Sequence, residues 1–554
     1  MYVKSEYMSE EWCNKAYTGV YLDAETCMEE FCKQILSLAD KIWAFMGTCR
    51  PMNPLTAEQL DDFKFAKHCY LCKHPFKGKA NQKVRDHDHI TGDYLGATCN
   101  ACNLKRQRKR WFLPLIFHNA KGYDLHHIVK EITKEKYRCT FQGIPQSSEK
   151  ILSFTIIPPG QSFTIKVIDS LQFMPGSLAS IVENTKKEFA TPQEAFPNFF
   201  QHFRLFSWPE EKITWILKKN KFPYSELDSF AKLTKPIDTM PLKEPFPHEE
   251  YSFRIWADYL CCYLECDTLQ LCDSFKHFVK KIYDTYGLFA WFYVGLPRLS
   301  WDCMLITIKD RYTLEILSDP NMVGYWANLL RGGWSYMGLR FAEWEPGCII
   351  IYFDTNNLYG WVMMNDLPYR DFRWMTQDEL DALKEDPYAF IKKCRDQHIM
   401  FSVMGDFIYP PEIHHYTSDL PLMPECACID EEWLLDKQVE LNIICCMRHN
   451  AKQPYLLQTQ FNKYNYFVYG ELLDFYLQQG IIIENLYCGQ VFRVAPWLRD
   501  YIAQNTEFRN ECKRQGLTVG IQVFKNLNNI IFGKGCENPE HQAQMKFVSK
   551  PEKV

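Results

Sequence analysis

The stretch IIIYFDTNNLYGWVMMNDLP, residues 349–368, decides how the rest of the chain is read. Five large apolar residues in a row, Ile349 to Phe353, predict a strand buried on both faces. The run stops on a carboxylate, Asp354, and TNNLYG follows with the asparagines and glycine of a turn. Either a buried strand delivers Asp354 to a functional turn, or it ends in a solvated aspartate.

Outward from that stretch, composition narrows the class. A chain of 554 residues suggests three or four domains. Apolar residues at 47% and charged residues at 24% are ordinary globular values, which exclude a disordered or collagen-like chain. Aromatics at 15% are enough for several packed cores. No apolar run approaches the roughly 18 residues of a membrane span, and MYVKSEYMSEEW at the start has no signal-like apolar stretch. A soluble intracellular protein without membrane association is expected, nuclear if it comes from an element in a eukaryotic host. The net charge of −5 argues against a uniformly basic coat for nucleic acid, but KRQRKR at 105–110 is a local cationic run. Most of the 23 cysteines read as reduced, buried small hydrophobes.

Four cysteines are different. Cys69 and Cys72 form one Cys-x-x-Cys hook, Cys99 and Cys102 another, and four thiolates are what a tetrahedral structural zinc needs. Between the hooks lies RDHDHITG at 85–92, and Asn103 follows the last cysteine. Histidine beside carboxylates, near an amide held by a zinc knuckle, can bind a divalent metal and activate water against a phosphodiester. The segment resembles the His-Asn-His nuclease module of the phage endonuclease VII type. That resemblance implies that Asp86 and Asn103 hold the catalytic Mg²⁺ and that His87 is the general base; His89 matches another histidine of the motif. The alternative is a knuckle that only grips DNA, with LKRQRKR as its phosphate-binding flank.

Downstream, LPLIFHNAKGYDLHHIVKEI (113–132) reads as a buried strand, a glycine turn and an amphipathic helix. Leu125, Ile128, Val129 and Ile132 recur at helical spacing. Asp124 then sits at a strand-to-helix junction. In YSFRIWADYLCCYLECDTLQLCDSF (251–275), Tyr263 and Asp267 are one helical turn apart on one face. With IDSLQFMPGSL (168–178) between them, these stretches resemble the second and third motifs of the 3′–5′ exonuclease of family B DNA polymerases. The resemblance implies a metal role for Asp124 and Asp267 and a water-orienting role for Tyr263. The first motif should be an Asp-x-Glu at a strand end. DAE at 23–25 is expected to be a decoy, because Met28, Phe31, Cys32, Ile35, Ala39, Ile42 and Trp43 continue from it as an amphipathic helix.

The opening stretch resembles the first palm motif of the same polymerases, Asp-x-x-Ser-Leu-Tyr-Pro, with Asn357 and Gly360 as departures. It implies that Asp354 binds two Mg²⁺ ions and that Tyr359 stacks beneath the incoming sugar. KNLNNIIFG (525–533) resembles the second palm motif on a helix. There Lys525 would neutralise the triphosphate, Asn529 and Phe532 would share its face, and Gly533 would let the backbone approach the nascent base pair. Ile530 and Phe532 replace a serine and a tyrosine of the motif. No Asp-Thr-Asp of a third palm motif occurs.

Taken in order, with LSWDCML (299–305), RGGWSY (331–336) and LPLMPE (420–425), the motifs are most similar to protein-primed family B polymerases of self-synthesising transposons and related viruses. The implied fold is a multidomain α/β protein: an RNase H-like exonuclease domain with a zinc-knuckle insertion, then an α+β polymerase palm with helical fingers. The expected division is a helical segment 1–60, the zinc module 61–112, the exonuclease-like domain 113–290, and an incomplete palm and fingers 291–554. Residues 362–500 would be a subfamily insertion, with 459–480 a helical stretch closing on Gly480, and 232–250 would be a linker. The implied activity is templated addition of deoxynucleotides to a primer 3′-hydroxyl. Its partners would be DNA primer–template, deoxynucleoside triphosphates, two Mg²⁺ ions and a terminal protein as primer. The chain as given is expected to be inactive as a fragment lacking both ends. Two rivals stand beside this reading: a zinc-dependent His-Asn-His endonuclease, and an inactive element-derived DNA-binding remnant.

Overall fold

The computed structural model describes residues 24–47 and 50–537 with short interruptions, the longest at 238–252, together with 2–3 and 15–16. The expected linker falls mainly in that interruption, outside the described residues. The chain forms two compact units, residues 1–303 with 505–554, and residues 304–504. The segment 291–554, expected as one palm-and-fingers domain, therefore gives residues 291–303 and 505–554 to the first unit. No described helix is long and apolar enough to cross a membrane.

In the first unit, helix α1 (Ala24–Gly47) puts Glu25 in its first turn, so Ala24 and Glu25 of DAE open a helix, and Asp23 lies outside the described residues. Next comes the small module: α2 (Ala57–Phe65), a hairpin of β1 (Lys83–His87) and β2 (Tyr94–Cys99), and α3 (Asn100–Gln107). Strand β3 (Phe112–Phe117) leads through a turn into α4 (Asp124–Ile132). A meander follows, β4 (Thr140–Pro145), β5 (Ile151–Ile157) and β6 (Thr164–Asp169). The sheet order is β3-β6-β5-β4. β3 and β6 are parallel with Phe117 opposite Asp169, and the other pairs are antiparallel. The helical periodicity read from sequence is realised: Cys32, Ile35 and Ala39 of α1 and Leu125, Ile128 and Ile132 of α4 bury against Phe154, Ile156, Ile165 and Val167. Each such aliphatic burial contributes about 1.5–3 kcal/mol.

The rest of this unit is helical. α5 (Leu178–Lys187) and α6 (Pro197–Arg204) pack on the long α7 (Trp256–Tyr286), which Gly287 ends in a left-handed conformation at φ 69°. Asp273 of α7, fully buried, accepts the N–H groups of Asn198 (3.3 Å) and Phe199 (3.0 Å) and so caps α6. Asn184 of α5 accepts the Val519 N–H at 3.0 Å and donates to the Thr518 hydroxyl at 3.0 Å, tying down the start of the last described helix, Thr518–Gly535.

The second unit opens with a correction. Residues 348–354 form no strand, and Ile349 to Phe353 are 61–89% exposed. A lone extended segment has no neighbour for its backbone N–H and C=O groups, and no described strand pairs with this one. The antiparallel sheet of this unit comes instead from the region expected as an insertion. After a short helix α8 (Leu358–Met363) come β7 (Leu367–Trp374), α9 (Gln377–Glu385), α10 (Pro387–Asp396) and β8 (Ile399–Ile408). Then follow β9 (Lys463–Tyr469), α11 (Gly470–Gln478) and β10 (Ile482–Ala495), with sheet order β9-β8-β10-β7. Leu383, Ile391, Phe401, Val403, Phe407, Val468, Leu473 and Phe492 form its core. The stretch 459–480 thus holds a strand, Lys463–Tyr469, before its helix, and is not one helix. Tyr, Phe and Val dominate KYNYFVY, and Tyr466 and Val468 bury on alternate positions against β8. Gly480, at φ 101°, does close α11. The Thr518–Gly535 helix is α12.

Candidate functional site

Three places carry the chemistry read from sequence. The first is the zinc module. The sulfurs of Cys69, Cys72, Cys99 and Cys102 all lie within 4.8 Å of one another, and Cys72 Sγ to Cys99 Sγ is 3.9 Å. Zinc–sulfur bonds of about 2.3 Å at tetrahedral angles put sulfurs about 3.8 Å apart, so the donor set fits zinc. Cys69 and Cys99 are buried. Burial alone would raise the Cys69 thiol, but the Thr98 hydroxyl and the N–H groups of Cys72, Cys99 and Leu71 hold it at about 6. Hydrogen bonding with Cys99, then burial and the other two sulfurs, push Cys102 up to about 12. A thiol pair split this way is what a metal cation stabilises, since it lets every sulfur ionise.

The hairpin β1–β2 carries the nuclease-like residues. Asp86 is buried and accepts the Tyr70 hydroxyl at 2.6 Å. His87 ends β1, and its ring stacks on that of His89, centroids 4.7 Å apart and planes 10° from parallel. Asp88 caps the turn through the Thr91 N–H at 3.1 Å. Asn103 stands in the first turn of α3, the helix that the second cysteine hook opens. The hairpin and its helix thus gather Asp86, His87 and Asn103 in one small module. Of the basic run, Lys105 is exposed on α3, and residues 108–110 lie outside the described ones.

The second place is the carboxyl ends of the parallel strands β3 and β6. Asp124 opens α4 directly after the β3 turn, while Tyr123 lies outside the described residues. Sequence reading passed over its neighbour, Asp169. That buried residue accepts the Asn119 N–H at 2.8 Å, the Leu171 N–H at 3.1 Å and the Lys121 N–H at 3.4 Å. It therefore shapes the turn that presents Asp124. Partial burial raises the Asp124 carboxyl, and the charge of Asp169 adds to the rise. His118 faces Ser170 Oγ at 2.9 Å and the Gly176 carbonyl at 3.0 Å, so a neutral ring carries its proton on Nε2 and accepts the serine hydroxyl. The signal was in the sequence: IKVID ends an apolar-rich run on an aspartate, the same pattern as 349–354, and here the strand forms.

Tyr263 and Asp267 both project from α7, at a small cleft that Trp215, Tyr259 and Cys262 also line. Tyr263 packs on Phe222 at 5.7 Å. Among the described residues the four cysteines are the one group of three or more His, Cys, Asp or Glu at metal-ligand spacing, so Asp124, Asp169 and Asp267 do not form a second.

The palm-motif residues, third in order, lie in two different units. In the second, Asp354 sits on the exposed segment and Tyr359 is half exposed in the first turn of α8. The two departures from the palm motif belong together. Asn357 caps α8 in a left-handed conformation (φ 55°), and its side-chain amide lies where a Cβ at Gly360 would stand. In the first unit, α12 buries Val523, Phe524, Leu527 and Ile531 and leaves the opposite face outward. That face presents Lys525, exposed, Asn529, partly exposed, Phe532, 45% exposed, and Gly533, with open space around it.

Residues 53–113 match the family Recombination endonuclease VII. The four-cysteine cluster and this match both fit a zinc site. No curated protein matches the chain. Among solved structures, the chain is similar to Phi29 DNA polymerase complexed with primer–template DNA and incoming nucleotide, at 14% identity and TM-score 0.42, over 76% of this chain and 59% of that one. The orthorhombic form of Phi29 DNA polymerase gives 14% and 0.42, over 82% and 64%. The post-translocation complex with primer–template DNA gives 15% and 0.41, again over 82% and 64%. The chain thus spans about three fifths of the length of that polymerase.

Proposed function

We propose that the chain belongs to a DNA-directed DNA polymerase of family B type. The observation that carries the reading is the outward face of α12. A cation, an amide, an aromatic ring and a glycine are aligned there while the other face is anchored in the core. In this reading Lys525 would neutralise a triphosphate, Phe532 would stack, and Gly533, with open space around it, would admit a base pair without a clashing Cβ. Phosphoryl transfer depends mainly on positioning and charge stabilisation, which is what such a face supplies. Asp354 and Tyr359 fit the first palm motif by residue type. Mg²⁺ would supply charge stabilisation when bound, while Asp354 stands outside any described cluster of metal-ligating side chains. Asp124, Tyr263 and Asp267 would serve a 3′–5′ exonuclease, with Asp169 positioning the first. DNA primer–template and deoxynucleoside triphosphates are the partners of this reading, and a terminal protein is a further one.

Nucleotide binding tests it. Lys525→Ala is expected to weaken triphosphate binding at least about tenfold, as loss of a charge-assisted contact does. Templated primer extension that survives Asp354→Ala would sink the palm assignment.

A second activity has its own observation, the hairpin and helix that gather Asp86, His87 and Asn103 beside four clustered cysteines within the matched residues 53–113. In this reading Asp86 and Asn103 would hold one divalent cation, which would supply charge stabilisation, and His87 would accept the proton of the attacking water. Nicking of duplex DNA lost in His87→Ala, with zinc retained, is the expected result.

A further inference from the structure

We propose that Tyr70 is a positioning residue that couples the four-thiolate site to the divalent-cation centre at Asp86, so that zinc loading sets the affinity of that centre. The inference rests on the nuclease reading of residues 53–113.

Tyr70 lies inside the first cysteine hook, one residue after Cys69. The hook is stitched to β2 twice: the Tyr70 N–H donates to the Ala97 carbonyl at 3.0 Å, and Cys69 Sγ lies 3.3 Å from the Thr98 hydroxyl. It is also closed on itself, through Lys73 N–H to the Cys69 carbonyl and Cys69 N–H to the His74 carbonyl, both at 2.9 Å. The ring then passes over Gly96, the cross-strand partner of Asp86. A Cβ at Gly96 would meet the ring at 2.9 Å, and Gly96 has φ +146°, so glycine leaves the slot in which the ring lies. From that slot the hydroxyl reaches Asp86 Oδ2 at 2.6 Å.

A buried carboxylate that must receive a cation needs its orientation fixed without losing its charge. A neutral phenol does this, where an arginine would neutralise the group and compete with the ion. Zinc on Cys69 and Cys72 holds the backbone on either side of Tyr70. Without zinc the hydrogen bonds alone hold the hook, so the hydroxyl is less firmly seated and Asp86 loses part of its orientation. Groups that orient metal ligands in this manner typically control affinity by about 10–100-fold.

The test uses the whole chain with Mn²⁺ as the probe, read by electron paramagnetic resonance, alongside zinc content by elemental analysis. The Mn²⁺ site present in the wild type and absent in Asp86→Ala defines the centre. Tyr70→Phe should keep one zinc per chain and weaken that site about tenfold or more. Zinc-stripped, chelator-free wild type should weaken it similarly, and stripping zinc from Tyr70→Phe should add little, because both changes remove one coupling. Unchanged Mn²⁺ affinity in Tyr70→Phe, loss of its zinc, or additive effects of the two changes would each overturn the coupling. If Asp86→Ala removes no Mn²⁺ site, it is the nuclease reading that fails.

Discussion

At the residue scale, two groups of ionisable side chains make predictions with a definite sign. Zinc must displace protons from the cysteines, and Cys102 holds its proton up to about 12 while Cys69 gives one up at about 6. Binding therefore releases protons, and a competition titration should show zinc affinity rising at least about tenfold from pH 6 to pH 8. Affinity that is flat over that range would contradict thiolate ligation. Glu131 is the other case. Burial would raise its carboxyl, but hydrogen bonds from Lys134, Lys136 and Tyr137 outweigh burial and hold it at about 2, against an ordinary 4.5. A depressed carboxylate stabilises the fold above its unfolded value and loses that contribution as pH falls through the folded one. Stability should decline between about pH 4.5 and 2, and Glu131→Gln should cost roughly 1–2 kcal/mol at neutral pH and flatten that decline. Chemical denaturation at stepped pH values measures both.

At the element scale, the informative case is the strand that does not form. Ile349 to Phe353 have the composition of a buried strand, and the helix after them forms as Asn357 and Gly360 allow, yet the five residues stand exposed. A strand is stabilised by cross-strand pairs, and hydrophobicity by itself cannot supply them. Brief chymotrypsin treatment should therefore cut at Tyr352 or Phe353 before it cuts within β8 or β10, whose backbones are paired along their length. Protection of 349–353 equal to that of β8 would show that the segment is paired in solution.

At the scale of the whole molecule, the cores are separate. One joins α1, α4 and the mixed sheet, another the phenylalanines of α6 with Cys266 and Leu269 of α7, and both differ in membership from the core of the 304–504 unit. Units with their own cores commonly unfold in their own transitions. Calorimetry should resolve more than one, and zinc removal should leave the one belonging to 304–504 unmoved, since the four cysteines lie in the other unit. A single transition displaced as a whole by zinc removal would contradict this division.

The amphipathic helices, the cysteine hooks and the α12 face were all legible along the chain, because helical spacing and short-range ligand geometry are local properties. Cys69 with Cys72, Leu125 with Ile128 and Ile132, and Lys525 with Asn529 each lie within two helical turns or one tight hook, so sequence order is nearly spatial order. Tertiary structure decided what depends on a distant partner. It set Asp169 beneath the turn bearing Asp124 through a parallel pairing 50 residues apart, and Tyr70 against Asp86 across a hairpin. It drew the antiparallel sheet of the second unit from residues 367–495 and left 349–353 unpaired. A run of apolar residues states that it will be buried if a surface meets it, and only the rest of the fold supplies that surface.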